Sequence, residues 1–314
     1  MSVSRFIRHE TILAVLVAIA LVVLAMQSDK FFTLDNLLNQ GRLMTEVGLI
    51  AIIMTFVIVT GGIDLSVGSI LGLSAIMLGV FWKNLGLPLE GAIVLTLVVG
   101  TVAGFLNGLI ITRFRFPPLI ATLGTLALYR GIAEGVSQAR SVRGYPDWFY
   151  VLGQGQVLGV PTQLWILLAV TILASIVLGM TTWGRATYAI GSNETAARFS
   201  GLRVDGVKMA IYASSGFAAA LAAVIFVSRV STTRSDMGTG IELDAITAVV
   251  LGGTSIFGGR GTIIGTVLGL ILIQALKNGL SLAGVKSDGT IVLIGAVLIL
   301  TILVSNFVYR GGTR

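Results

Sequence analysis

Of 314 residues, 21 are Lys or Arg and 14 are Asp or Glu, so 11% are charged, against roughly 25% in an ordinary soluble domain. A further 55% belong to the AVILMFWYC set, 40 are Gly, and the mean hydropathy is +0.97. This excludes a disordered chain, a nucleic-acid-binding domain and a conventional soluble enzyme. The formal charge of +7 is spread through short segments between apolar runs, which suits a membrane topology signal better than a nucleic-acid surface. With no Cys and a single His, His9, near the amino terminus, no thiolate metal site, haem-thiolate or imidazole-based catalytic centre is expected, and no cofactor is implied.

A helix crossing a hydrocarbon core of about 30 Å needs about 20 residues. The first apolar run, 11–26, follows Arg5 and Arg8. The stretch Ala25-Met26-Gln27-Ser28-Asp29 offers no small-x-small cleavage site, so the run reads as an uncleaved span. Further runs cover 43–60, 66–82, 91–112, 117–135, 162–180, 208–230, 243–257, 263–282 and 289–307. The expectation is an all-α polytopic membrane bundle of about ten spans, one transmembrane domain over 1–314, with broken or re-entrant helices where the runs are short and Gly-rich. An even count places Arg5, Arg8, Arg310 and Arg314 on the cytoplasmic side, together with Arg113, Arg115, Arg185, Arg198, Arg203 and Lys208. Both termini and a loop over about 181–207 are then cytoplasmic, and the loop over about 136–161 is external. Trp82, Trp148, Trp165 and Trp183 fall near span ends, where an amphipathic ring suits the interface.

Glycines recur at four-residue intervals: Gly100, Gly104 and Gly108; Gly261, Gly265 and Gly269; Gly68 and Gly72. Such faces let helices approach closely in lipid. There is also an internal echo. Val57-Ile58-Val59-Thr60-Gly61-Gly62 followed by Gly68 through Leu73 resembles Val249-Val250-Leu251-Gly252-Gly253 followed by Gly265 through Leu270, with the second copy six residues longer between its parts. Transporters are often built from two related halves.

The loop over about 181–207 holds a helix signal. Asn193 is a good N-cap, Glu194 suits the positive end, Arg198 follows it at i+4 and Gly201 supplies a left-handed stop. The helix would span about seven residues, roughly 10 Å. Ala196 and Ala197 beside Phe199 make a face that either seats in another protein's groove or lies on the chain's own bundle. Gly258-Gly259-Arg260-Gly261-Thr262 lacks the Gly-Lys-Ser/Thr of a phosphate loop, and no Gly-x-Ser-x-Gly occurs.

The Ala-Ala-x-x-x-Gly of residues 196–201 resembles the coupling loop of ATP-binding-cassette importer permeases. Thr60 through Ser69, reading TGGIDLSVGS, and Ala245 through Ser255, reading AITAVVLGGTS, resemble the two signature stretches of the branched monosaccharide permease family, the ribose, xylose, rhamnose and autoinducer-2 group. One departure is Thr195, which separates Glu194 from Ala196 where the usual motif begins Glu-Ala-Ala. The resemblance implies a non-catalytic permease subunit that pairs with a second copy or a sister permease in the lipid bilayer. It also implies two cytoplasmic ATPase domains and a periplasmic sugar-binding protein as partners. Residues Asn193, Glu194, Ala196, Ala197, Arg198, Phe199 and Gly201 would form the ATPase-coupling helix, so that Ala197→Asp would uncouple transport without unfolding the chain.

For a sugar pathway the candidates are Asp64, Asn107, Tyr129, Arg130, Glu134 and Asn278, because intramembrane polar and ionisable groups point to function. Asp64 either hydrogen-bonds a sugar hydroxyl or, with Ser66, caps the helix that follows. Arg130 and Glu134 are either an i,i+4 pair at the outer mouth or substrate contacts. Asn107 and Asn278, with Gln274, either present amides to a polyol or bond helix to helix. In the external loop Arg143, Asp147 and Trp148 suit docking of the binding protein, or an interfacial amphipathic segment. An ion-coupled secondary transporter is the rival function, and would need an acidic coupling site deep in the bundle; a membrane enzyme would need a carboxylate or His cluster.

Overall fold

A computed structural model describes residues 3–286 and, past these, residues 289, 290, 292, 295, 296 and 299. In chain order the elements are α1 Val3–Gln27, α2 Leu34–Val59, α3 Val67–Gly79 with a π-helical turn Val80–Asn84, α4 Leu89–Arg113, α5 Pro118–Ser137 and α6 Asp147–Gln154. There follow a two-residue antiparallel ladder of β1 Gln156–Val157 and β2 Val160–Pro161, then α7 Thr162–Met180, α8 Thr182–Ser192, α9 Glu194–Phe199, α10 Val204–Val230, α11 Ile241–Leu251 and α12 Ile263–Leu282.

Seven of these helices are at least 18 residues long and apolar enough to cross a membrane: α2, α3 with its π-turn, α4, α5, α7, α10 and α12. The apolar part of α1, Leu13–Met26, is shorter. The run at 289–307, with Arg310 and Arg314, lies outside the described residues. Helices α2 and α10 begin earlier than hydropathy alone suggests. The Thr33 hydroxyl caps α2 by accepting from the Asn36 N–H at 3.4 Å, which draws Asn36, Gln40 and Arg42 into the helix. Similarly, α10 starts at Val204 with Asp205 in its first turn, where a carboxylate complements the dipole. The expected span at 243–257 is instead the 11-residue α11, about half of what a crossing requires.

Both copies of the sequence echo end a helix in the same way. At the end of α2, Gly62 N–H reaches Val57 O at 3.0 Å and Gly61 N–H reaches Ile58 O at 2.9 Å. At the end of α11, Thr254 N–H reaches Val249 O at 3.2 Å and Gly253 N–H reaches Val250 O at 2.9 Å. Each is a Schellman stop, with the left-handed position taken by Gly61 at φ 77° and Gly253 at φ 88°. The hydrogen bonds therefore pair Gly61 with Gly253, one residue away from the alignment of the two double glycines. The breaks also meet in space, because Gly259 N–H donates to Val59 O at 2.8 Å.

Helix α10 is the central post, lying against α2, α3, α4 and α6. Its seam with α4 is made of backbone. A methyl group on Gly100 would strike Ala220 Cβ, and one on Gly104 would strike the Tyr212 carbonyl and the backbone of Gly216. On α12, methyls at Gly265 and Gly269 would strike the carbonyls of Gly252 and Ala248. Away from these seams, Val94, Val98, Val102 and Phe105 of α4 and Leu168, Ile172, Leu173 and Ile176 of α7 are exposed, the apolar faces a bundle turns toward lipid.

Gly104→Ala should therefore destabilise the protein by about 1–3 kcal/mol, the usual cost of overpacking. Gly124→Ala on α5, where nothing lies within 4 Å, should leave stability unchanged or slightly raised. Thermal unfolding of the two purified variants in one detergent checks the pair.

Candidate functional site

At one end of the bundle α8 and α9 project from the spans. Asn193 is extended, and its carboxamide oxygen accepts from the Ala196 N–H at 2.9 Å, so α9 starts where its cap dictates. Six residues later it stops at another Schellman turn: Gly201 N–H reaches Arg198 O at 3.2 Å and Leu202 N–H reaches Ala197 O at 3.2 Å, with Gly201 at φ 86°. Such a stop brings the residue after the glycine against the last turn of the helix. Here Leu202 packs with Ala197, Ile190 and Val204 in a small core beneath α9.

That geometry divides the helix face. Ala197 is buried against the chain's own bundle, whereas Ala196 is exposed and Phe199 stands 90% exposed. The face sketched from sequence as Ala196, Ala197 and Phe199 is thus split, and Ala197 belongs to the inner side. Electrostatics hold the helix in place. Glu194 pairs with Arg198 at 3.1 Å and with Lys208 at 2.5 Å, and Arg198 also pairs with Asp205 at 2.8 Å. Partial burial pushes the Glu194 carboxyl upward, but the hydrogen bonds and charges of Lys208 and Arg198 outweigh it and leave it below the ordinary carboxylate value. A cleft of about 500 Å³ separates α9 from the α4–α5 turn and is lined by Arg113, Arg115, Glu194 and Asp205.

This end also touches the helix breaks. The Tyr188 hydroxyl of α8 donates to Gly261 O at 2.6 Å, and methyls on Gly191 and Gly258 would strike Val59 O and Gly61 N respectively. Glu10 of α1 accepts from the Thr262 hydroxyl at 2.5 Å, so the start of α1 lies at the same end.

Three of the pathway candidates come together at the α2–α3 break. Asp64 Oδ1 accepts from Ser66 N–H at 3.0 Å and Ser66 Oγ at 2.6 Å, and Asp64 Oδ2 accepts from Ser215 Oγ at 2.8 Å. Asn107 Nδ2 donates to Ser66 Oγ at 2.7 Å, and the Tyr129 hydroxyl donates to Ala103 O at 2.8 Å. All of these side chains are buried. The network fastens α3, α4, α5 and α10 around the break, and Asp64 lies at the positive end of α3.

Arg130 does something the i,i+4 spacing did not suggest. Its guanidinium donates to the Ser235 and Met237 carbonyls, the latter at 3.0 Å, and to Gly68 O at 3.2 Å. It therefore ties α5 to α3 and to the 231–240 loop, while Glu134, on the same helix, is exposed. Asn278 is buried on α12, one helical turn after Gln274, whose amide donates to Gln40 Oε1 at 2.7 Å and joins α12 to α2.

At the opposite end of the bundle the 138–146 segment and α6 cover the end of α10, and β2 lies against α2 and α7. Tyr145 stacks on Trp82 with centroids 4.4 Å apart, and Ser228 Oγ donates to Phe149 O at 2.5 Å. Arg143 bridges to Thr232, Asp147 opens α6, and Trp148 is exposed. Beside them is a pair absent from the sequence-based candidates: Glu46 of α2 and Arg229 of α10, 2.8 Å apart on a cavity of about 490 Å³. Their separation in sequence hides them. The available signal was a charge beside a long apolar run in each helix, Glu46 before the run to Val59 and Arg229 after the run from Met209, since such charges require a partner.

The profile of a family described as branched-chain amino acid transport system / permease component matches residues 36–302. The chain is 38% identical over 310 residues to the ribose import permease protein RbsC of Haemophilus influenzae, covering 97% of this chain and 95% of that protein. It is 41% identical over 291 residues to RbsC of Bacillus subtilis, covering 92% and 90% respectively. To the autoinducer 2 import system permease protein LsrD of an Enterobacter species it is 35% identical over 300 residues, covering 94% and 91%. No solved structure matches.

Because Ala197 faces inward, Ala197→Asp should place an unpartnered carboxylate in the small core beneath α9, at a cost of several kcal/mol. The expected outcome is a lowered melting temperature and faster proteolysis at 193–204, rather than uncoupling of an intact fold. An unchanged melting temperature would return Ala197 to the outer face.

Proposed function

The chain belongs to this permease-component family, and from that premise we propose the working arrangement of a bacterial inner-membrane, multi-pass permease of an ATP-binding-cassette sugar importer. Its cargo is a monosaccharide or similar small polyol, moved by alternating access. ATP is hydrolysed on separate cytoplasmic ATPase subunits, a periplasmic binding protein delivers the sugar, and the core contains a second copy or a sister permease.

The observation that carries this reading is α9. It is a short helix with both ends capped, pinned by ion pairs, that holds a large apolar side chain in the open. A Phe in that setting suits insertion into a partner's pocket, since buried aromatic anchors dominate interfaces. Behind it, α8 contacts both helix breaks, so a push on α9 is delivered where the spans are interrupted. The opposite end, with Arg143, Asp147 and Trp148, receives the binding protein. Among the pathway candidates, Asp64, Asn107 and Tyr129 serve as a lock on the α2–α3 break.

If α9 is cytoplasmic, the start of α1 is too, through Glu10 and Thr262. Counting α11 and its following loop as one crossing, nine crossings then bring the chain to the external end of α12. A tenth over 289–307 returns the carboxyl terminus to the cytoplasm. The single domain thus spans 1–314, with the 181–207 loop inside and the 136–161 loop outside. An ion-coupled carrier has less support, because Glu46 and Asp244 are each in an ion pair, Asp64 accepts three hydrogen bonds and Glu242 accepts from the Gly240 N–H.

Phe199→Ala should lower substrate-stimulated ATP hydrolysis and uptake by the reconstituted complex about tenfold or more, as expected for loss of about 2 kcal/mol at an interface anchor. Its melting temperature should barely move, since an exposed side chain is worth within about 0.5 kcal/mol to the fold. Normal uptake would remove α9 as the coupling element. Independently, phosphatase and fluorescent-protein fusions at each terminus should both report a cytoplasmic location, and a periplasmic carboxyl terminus would overturn the ten-span arrangement.

A further inference from the structure

The cavity of about 490 Å³ is bounded by α2, the end of α10, the 231–240 loop and the start of α11. Its size falls within the range of small-molecule sites. One wall carries the Glu46–Arg229 pair, with the Glu46 side chain 3% exposed and that of Arg229 22% exposed. Arg229 uses Nε on Glu46 at 2.8 Å and lies 4.8 Å from the centroid of the Phe226 ring. No hydrogen bond from its two Nη groups is made among the described residues, which leaves up to four N–H donors at the cavity edge. The floor is the 231–240 loop, whose carbonyls at Ser235 and Met237 are held by Arg130.

We propose that this cavity is a sugar-accepting site of the permease itself, in which Glu46 and Arg229 bind vicinal hydroxyls and Phe226 faces the ring carbons. The proposal rests on the sugar-importer reading above, and adds the site and its chemistry. Charge balance decides the ligand class. Each lining carboxylate already has a cation: Glu46 has Arg229, Asp236 has Arg234, and Asp244 has Lys277. A phosphate would add negative charge beside three carboxylates and a free amine positive charge beside three cations, with no unmatched counter-charge for either, and the two charged ends of an amino acid meet the same lack. A hydroxyl adds neither charge. It accepts from a spare guanidinium N–H while donating to a remaining carboxylate lone pair, so a neutral diol joins the pair without breaking it. The site is therefore one of low selectivity, receiving any small vicinal diol handed over from outside.

The absence of Cys from the sequence makes a clean test available. Thr239→Cys places one thiol on the exposed part of the cavity lining, and Ser141→Cys places one in a separate exposed pocket at the same end of the bundle. In the purified full-length permease, D-ribose at about ten times its dissociation constant should slow maleimide labelling of Thr239→Cys about tenfold, by simple occupancy. Labelling of Ser141→Cys should be unaffected, and L-leucine should protect neither. Adding Glu46→Gln to Thr239→Cys should abolish the protection while labelling without sugar stays the same. If D-ribose leaves Thr239→Cys labelling unchanged, or L-leucine protects it equally well, the site is not as proposed. Uptake by the reconstituted complex is read separately: ATP-driven D-ribose uptake without protection removes this site alone. Protection without ATP-driven uptake of any monosaccharide removes the importer reading and leaves a diol site.

Discussion

The hydrogen bond from Gly259 N–H to Val59 O joins the two places where this chain stops being helical inside an apolar bundle. In hydrocarbon, every unpaired backbone group costs several kcal/mol, so irregular backbone persists only where protein supplies partners. The ends of α2 and α11 meet that requirement in three ways. Each satisfies its final carbonyls through a glycine-centred turn, one break donates to the other, and Asp64 with Ser66, Ser215 and Asn107 absorbs the polar groups at the start of α3. The positions of α8, α10 and α12 follow from this junction, since all three pack on it or are tied to it.

A functional logic follows from what lies on either side of the junction. Toward α9, the surface is capped and charged, with the Phe199 side chain held away from the bundle. Toward α6, it is a cavity with an internally neutralised ion pair and a loop clamped by Arg130. The chain thus has a capped, charged helix at one end and a cavity at the other, linked through interrupted helices. That arrangement suits the proposed importer, in which partner-driven motion opens a path for a small polar solute.

Features that depend on local sequence were legible before the structure. The α9 cap and stop are set by Asn193 and Gly201 within a nine-residue stretch, and the glycine repeat was visible as an internal echo, although not as a pair of helix ends. What escaped was set by tertiary contact. The inward turn of Ala197 depends on Leu202 folding back beneath the helix. Arg130 satisfies carbonyls of a loop about a hundred residues away in preference to its i+4 neighbour, because a guanidinium with five donors is better served by three carbonyls than by one exposed carboxylate. Glu46 and Arg229 are 183 residues apart, a distance over which no periodicity argument operates. The brevity of α11 was hidden because the residues after its end carry no charge before Arg260 and include Ile256 and Phe257, which prolong the apolar run.

The backbone seam between α4 and α10 constrains how the molecule can move. Where side chains interdigitate, a helix can shift by exchanging rotamers, as in the sliding of packed elements. Between Gly100, Gly104 and Gly216 there are no rotamers to exchange, and a displacement of even a fraction of a helical turn would bring other residues' Cβ atoms onto the opposing backbone. The two helices therefore form a single stiff spar. Any rearrangement that opens one end of the molecule and closes the other has to pivot around that spar, with the strain taken up by the glycine turns at its flank.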